Sequence, residues 1–270
     1  MLTGWGRGEY GSDVVRPSEF ESHCQELGTW VNWESTTDVM LHGDPEIDVS
    51  GIAVTWLATD AVIREAARLG CNFIISHEGI YYPTFQNTRV NRRIRTQRES
   101  SWMKTGLRCS AVTICGTGCR MSGSVTRGQT FSAGTPAPRR RRATTKSGES
   151  GLGVADRVLE RIEPLGQSSI QLMGDLDVDV TPLAIGTGAI TRLPAMHELG
   201  VDILLATDDG THTTYCGLWS FDLGIPVIIV CHPTSELPGM MALAEYVPTI
   251  FPDVDVHYLP CGLPYTRTLS

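Results

Sequence analysis

His77 and Glu78 close the stretch Cys71-Asn72-Phe73-Ile74-Ile75-Ser76-His77-Glu78-Gly79, where a short apolar run ends in an imidazole, a carboxylate and a glycine. An imidazole nitrogen beside a carboxylate oxygen suits a divalent transition metal. His232 and Glu236 form a second such pair, again just after an apolar run (225–230). Apolar runs of this length between polar punctuators read as buried strands. In parallel sheets, ligands collect at the carboxyl ends of strands. Taken alone, each pair also has a plainer reading. His77-Glu78 could be a polar surface loop, and Glu236 could simply serve a helix N-terminus, where the macrodipole favours a carboxylate. Two strand ends that each offer His plus Glu favour the metal: four N/O donors could hold one ion or most of a two-metal site. Such mixed ligation suits Zn, Mn, Fe or Ni comparably well.

A third cluster, Asp208-Asp209-Gly210-Thr211-His212, follows the apolar run 201–206. Here His212 could be a ligand, a partner of a ligand or a proton donor, and Asp208 could move protons. The same five residues also read as an ordinary Asx-rich turn. His23 and His197 fall in helical patterns and read as surface residues, while His42 and His257 take no assignment. No glycine-rich phosphate-binding pattern follows a strand, so a conventional nucleotide site is not expected.

The elements that must position these groups alternate. Pro17 and Ser18 open a helix, with Ser18 and Glu21 as a capping box, and Gly28 ends it. A strand over 51–58 leads to a helix over 61–69 capped by Thr59 or Asp60, and Gly70 stops that helix. The strand 72–76 follows, so His77 and Glu78 sit just past a strand–helix–strand unit that begins a parallel sheet. Residues 89–106 are charged and read as helical. Later come a helix over 154–162, strands over 170–173 and 181–185, and a tight turn at Gly186-Thr187-Gly188. A helix over 193–199, a strand over 201–206, a helix near 215–223 and the strand 225–230 complete the approach to His232. Pro233 is expected to bend the chain there, with the last helix over 238–246 and a closing strand over 254–259. Segments 57–78 and 185–208 share one plan, which pairs Glu78 with Asp208 and suggests an internal duplication. The fold class is α/β: two similar α/β halves with mixed, partly parallel sheets around a shared metal cleft. The division is 1–16 as a disordered lead-in, 17–107 as the N-terminal half, 108–148 as an atypical basic segment and 149–270 as the C-terminal half.

Together, strand-His77-Glu78-Gly79, Asp208-Asp209-Gly210-Thr211-His212 and His232-x-x-x-Glu236 resemble the motifs of the dinuclear-metal-centre hexamer family, also called the Ngg-interacting-factor-three family. Some of its members carry the name GTP cyclohydrolase I type 2 homologue. The likeness covers about 51–82 and 181–260. Two departures stand out. The family's first motif is usually two consecutive histidines, where this chain has Glu78 second. Its last motif is glycine–histidine with a glutamate four residues on, where this chain has Cys231 in the glycine's place. The resemblance implies a two-domain α/β subunit, two divalent metals per chain and a ring-shaped homo-hexamer.

The chain has 270 residues, is 41% hydrophobic and carries a net charge of −8, which gives no general case for nucleic acid. No apolar run approaches the ~20 residues of a membrane span. Its eight cysteines include no C-x-x-C pair, which favours a reducing compartment and a cytoplasmic location. The expected protein binds one or two divalent metal ions per chain through His77, Glu78, His232 and Glu236. It would hydrolyse a small, possibly nucleotide-like substrate by activating a water against carbon or phosphorus, with His212 or Asp208 moving protons. The competing expectation is a non-catalytic oligomeric scaffold stabilised by metal. A third is polyanion binding through Arg139-Arg140-Arg141-Arg142.

The basic segment breaks the pattern. From Arg108 to Gly148 there is no Asp or Glu, the charge is +8 against −16 for the rest, and three of the eight cysteines lie there. It shows no clear helical or strand pattern. It also lacks the histidine–aspartate pair that the resembled family places in the middle of its chain. The plain reading is a disordered basic insertion and the functional one a polyanion-binding loop; the preferred hypothesis is a slip of reading frame. Residues 112–121 can be back-translated as GTC ACG ATC TGT GGG ACC GGA TGC CGG ATG. Without the first two bases this reads H-D-L-W-D-R-M-P, which restores a His-Asp pair. Sequencing the coding DNA tests it. A second frame that is open through this segment and yields that pair is the expected result; one uninterrupted frame shared with a relative of the same length would sink the idea.

Overall fold

The computed structural model describes residues 14–29, 31–36, 38–79, 96, 100, 110–113, 140–188, 192–212 and 217–263. The chain forms two compact units. One comprises residues 1–133 and 239–261, the other 134–238 and 262–270. Each is a five-stranded mixed sheet with helices on both faces, so the α/β expectation with mixed, partly parallel sheets holds.

The first unit contains α1 (Pro17–Leu27), β1 (Met40–His42), β2 (Ile52–Leu57), α2 (Asp60–Arg68), β3 (Phe73–Glu78), β4 (Ser110–Thr113) and β10 (Val256–Tyr258). The strand order is β1-β4-β3-β2-β10, parallel throughout except for the edge strand β1. Alternation along β2 and β3 sorts their side chains onto two faces. Ile52, Val54, Phe73 and Ile75 meet Phe20 and Cys24 of α1 on one face, while Ala53 and Ile74 meet Val62, Ile63 and Ala66 of α2 on the other. Thr59 caps α2, its hydroxyl accepting from the Val62 N–H at 3.3 Å.

The second unit contains β5 (Arg140–Ser150), α3 (Gly151–Ile162), β6 (Gln171–Met173), β7 (Asp179–Gly186), α4 (Leu193–His197), β8 (Ile203–Thr207), α5 (Leu218–Leu223) and β9 (Val227–Val230). The order is β5-β7-β8-β9-β6. The three central strands are parallel, and both edge strands run antiparallel to them. Leu193 and Met196 of α4 pack with Ala184, Leu204, Ala206, Val227 and Ile229 on one face; Val154 and Ala155 of α3 pack with Ile203 and Ile228 on the other. The pairs β2–β3 and β7–β8 are both parallel strand–helix–strand units, as the shared plan of 57–78 and 185–208 suggested. The last helix, α6 (His232–Ile250), begins in the second unit and ends in the first, where Met240, Leu243 and Val247 join Phe20 and Phe73.

Several expectations change. The halves 17–107 and 149–270 are not the compact units. The apolar face of α6 and the parallel pairing of β10 with β2 return residues 239–261 to the first unit. The basic segment contributes two strands, β4 and β5, whose backbones pair with β3 and β7. Residues 14–16 are ordered, because the Val49 N–H donates to the Val15 carbonyl at 2.9 Å and Val15 packs on the core. The carboxylate that closes back at the start of α1 belongs to Glu19, which accepts from the Arg16 N–H at 2.9 Å; Glu21 lies further along the helix. His23 is half-buried, 2.8 Å from the Tyr246 hydroxyl. His197 is half-buried edge-on to Trp219. The expected helix over 89–106 lies outside the described residues except for 96 and 100, and the lead-in 1–13 and Arg139 lie outside them entirely. Among the described residues, no helix is long and apolar enough to cross a membrane.

Phe20 is fully buried and meets Phe73 edge-to-face, with ring centroids 5.9 Å apart. Removing it leaves a cavity that close-packed neighbours fill only in part. Phe20→Ala is expected to cost about 3–5 kcal/mol, measured as the shift in urea unfolding followed by tryptophan fluorescence.

Candidate metal centre

The second unit carries one of the two candidate pairs, His232 and Glu236. The buried strands β8 and β9 run parallel and end side by side, Thr207 opposite Val230. Asp208 and Asp209 follow β8; Cys231 and then α6 follow β9. His232 is the first residue of α6, so His232 and Glu236 lie one turn apart on one helix face. Pro233 therefore does not break the chain away from the helix, as expected from sequence. It occupies the first turn, where no backbone N–H is required, and the helix starts several residues earlier than predicted.

Asp208 fixes this start. Its Oδ1 accepts from the His232 N–H at 2.9 Å and from the Asp209 N–H at 3.0 Å. Its own N–H donates to the Val230 carbonyl at 3.0 Å. Asp208 thus caps a helix that begins more than twenty residues later, beyond α5 and β9. Cys231 is buried beneath, and its thiol is pushed up to about 12, by burial first and then by the Asp208 carboxylate.

His232 is held at both ring nitrogens. Nδ1 lies 2.5 Å from Asp209 Oδ2 and Nε2 lies 2.9 Å from Glu236 Oε2. The Glu236 side chain is 8% exposed, that of His232 15% and that of Asp209 41%. Opposite them is Gly188, in the turn after β7, with φ +72°. Thr207 ties this turn down by donating its hydroxyl to the Gly188 carbonyl at 3.0 Å. A Cβ at position 188 would stand 3.0 Å from Glu236 Oε1 and 3.5 Å from His232 Nε2. The missing side chain leaves a small cradle that faces one nitrogen and one carboxylate oxygen.

In the first unit, His77 is buried and Glu78 half-buried at the carboxyl end of β3. The strand runs two residues further than predicted, so both are part of it, with Glu78 opposite Leu57 of β2. The His77 ring stacks on Trp56, centroids 6.3 Å apart and planes 28° apart. The Ser76 hydroxyl donates to the Glu78 carbonyl at 2.9 Å, which steadies the strand end. His77 and Glu78 offer ligand atoms within 4.8 Å of one another, as do His232 and Glu236, and such His/Glu groups could hold a metal ion. The donor set suits a divalent cation.

His212 is exposed, and its carbonyl accepts from the Gly217 N–H. Asp208 lies next to the His232 pair, engaged as described. Three contributors escaped the sequence reading. Asp209 was visible only as part of an acidic turn, Gly188 only as a turn glycine, and Trp56 only as an alternating strand residue.

No family model matches the chain, and no curated protein matches it by sequence. Solved structures do. The protein ybgI, of unknown function, superposes with a TM-score of 0.70 at 18% identity, over 93% of this chain and 100% of its own. A Bacillus cereus protein related to NIF3 gives 0.69 at 12% identity, over 95% and 100%. A NIF3 superfamily protein from Sphaerobacter thermophilus gives 0.51 at 13%, over 91% and 98%.

This chain has the fold of the NIF3 superfamily.

The likeness drawn from His77-Glu78, Asp208–His212 and His232-x-x-x-Glu236 therefore holds at the level of fold. Within that NIF3-like fold, the Gly188 cradle gives a sharp structural expectation. Gly188→Ala combines a Cβ in left-handed backbone, costing about 1–2 kcal/mol, with displacement of Glu236. A lowered thermal midpoint is expected, together with an altered His232 ring resonance in NMR; an unchanged His232 signal would contradict the cradle geometry.

Proposed function

We propose that this NIF3-like protein binds divalent metal through His77, Glu78, His232 and Glu236, one or two ions per chain, and acts as a metal-dependent hydrolase of a small, possibly nucleotide-like molecule. The observation that carries this reading is the His232–Glu236 pair facing the Gly188 cradle, with the second imidazole nitrogen held by a carboxylate. That is the outer support metal-binding histidines generally have. His77 and Glu78 supply the same donor chemistry at the end of β3. When bound, a divalent ion supplies Lewis acidity and lowers the pKa of a bound water.

The chain's own residues have defined tasks in this reading. His232 offers Nε2, and Glu236 offers a carboxylate shielded from solvent. His77 offers a ring nitrogen while stacked on Trp56, and Glu78 offers an oxygen where a relative would have a second histidine. His212, exposed near the end of β8, is the group free to carry protons to and from solvent. Asp208, tied to two backbone N–H groups, is the secondary candidate. β4 runs parallel to β3 with Thr113 opposite Ser76. A His-Asp pair restored by a frame change near residue 112 would therefore fall beside the strand that bears His77, and would complete the ligand set. Self-association into a homo-oligomer, a hexamer by resemblance, and a cytoplasmic location belong to the same proposal. So does the absence of a role for membranes or nucleic acid.

Elemental analysis of purified protein is expected to find a divalent transition metal that His232→Ala loses. A phosphatase and nucleotide panel is expected to show turnover that needs added metal and disappears in the same variant. Loss of assembly without any turnover in the parent protein would instead support a metal-stabilised scaffold, and a metal-free parent protein that takes up none on addition would remove the proposal.

A further inference from the structure

We infer that Asp209 is a positioning residue: it holds the proton of His232 on Nδ1, so that Nε2 is the nitrogen presented to a cation at the Gly188 cradle. This deepens the metal-binding reading and rests on it. The imidazole has two nitrogens and two carboxylate neighbours, and the surroundings differ on the two sides. The Nε2 side carries Glu236, on the same helix face and nearly buried, and faces Gly188, where an added Cβ would stand 3.5 Å from Nε2. The Nδ1 side carries Asp209 at 2.5 Å, on the turn after β8 and 41% exposed. An ionised carboxylate can only accept, so the contact with Asp209 requires a proton on Nδ1. The contact with Glu236 has no such permanence, because a cation at the cradle takes the place of the Nε2 proton and can be shared by Glu236. Asp209 is itself fixed at its backbone, its N–H donating to Asp208 Oδ1, the same oxygen that receives the His232 N–H. One carboxylate oxygen therefore sets the spacing between the holder and the ligand.

Carboxylates that orient a ligating histidine are worth about 10–100-fold in metal affinity. With Asp209 partly exposed, the lower end applies, about tenfold. The test has two arms on the full-length protein. In the first, long-range ¹H–¹⁵N NMR of the metal-free protein at neutral pH reads the His232 ring. Nδ1 carries a proton in the parent protein, and Asp209→Ala shifts the proton to Nε2, against the remaining Glu236 carboxylate. An unprotonated Nδ1 in the parent protein overturns the inference whether or not metal binds. In the second arm, Zn²⁺ affinity is measured by competition with a chelating dye. Asp209→Ala binds about tenfold more weakly, and Asp209→Asn, whose amide oxygen can still accept from Nδ1, stays within about threefold of the parent. Equal affinity in Asp209→Ala overturns the positioning role. Equal weakening in both variants assigns the effect to charge alone and also overturns it. Failure of the parent protein to bind Zn²⁺ while Nδ1 remains protonated would sink the metal reading and the cation half of this inference, leaving a purely structural contact.

Discussion

The first turn of α6 is the point on which the chemistry of the second unit depends. A helix start leaves backbone N–H groups without partners, and here the leading one is taken by Asp208, a residue remote in sequence but adjacent in the sheet. Because β8 and β9 are parallel neighbours, the residues that follow them emerge side by side. The cap, the imidazole and its holder are thus all consequences of one strand pairing. Burying a carboxylate such as Glu236 is costly without a partner, and the His232 ring provides one across a single helical turn.

The same logic, in simpler form, operates in the first unit. β3 is central, paired with β2 as far as Glu78 and with β4 as far as Ser76, and His77 and Glu78 extend from this ladder. Trp56 on β2 gives the His77 ring a flat apolar wall. Neither unit needs a long loop to present its histidine. Each histidine belongs to a regular element, which restricts the conformations its ring can take and lowers the entropy lost on binding a ligand.

The fold was legible in the sequence where burial dictated composition. The runs in β2, β3, β8 and β9 are apolar because both of their faces are covered, and the α/β alternation around them followed. The candidate ligand residues were legible for the same reason, since a histidine and an acid stand out at the end of an apolar run. What could not be read depended on partners distant along the chain. β5 begins with consecutive arginines and has no apolar signature; its strand character comes from antiparallel pairing with β7. The early start of α6 was hidden because Pro233 looks like a break unless Asp208 is known to cap the residue before it. The return of residues 239–261 to the first unit was not legible, because the apolar stripe of α6, ordinary in itself, does not say which sheet it covers. Asp209 carried no signal beyond its neighbour, since a holder of an imidazole is defined by geometry alone.

The central claim is that the nitrogen and oxygen gathered at Gly188 serve a metal ion. The most direct measurement is anomalous X-ray diffraction from crystals of the metal-loaded protein, recorded on both sides of the metal's absorption edge. The account predicts an edge-dependent peak bonded to His232 Nε2 and a Glu236 carboxylate oxygen, with Asp209 still on Nδ1. A metal located elsewhere, or a peak bonded through Nδ1, would contradict it.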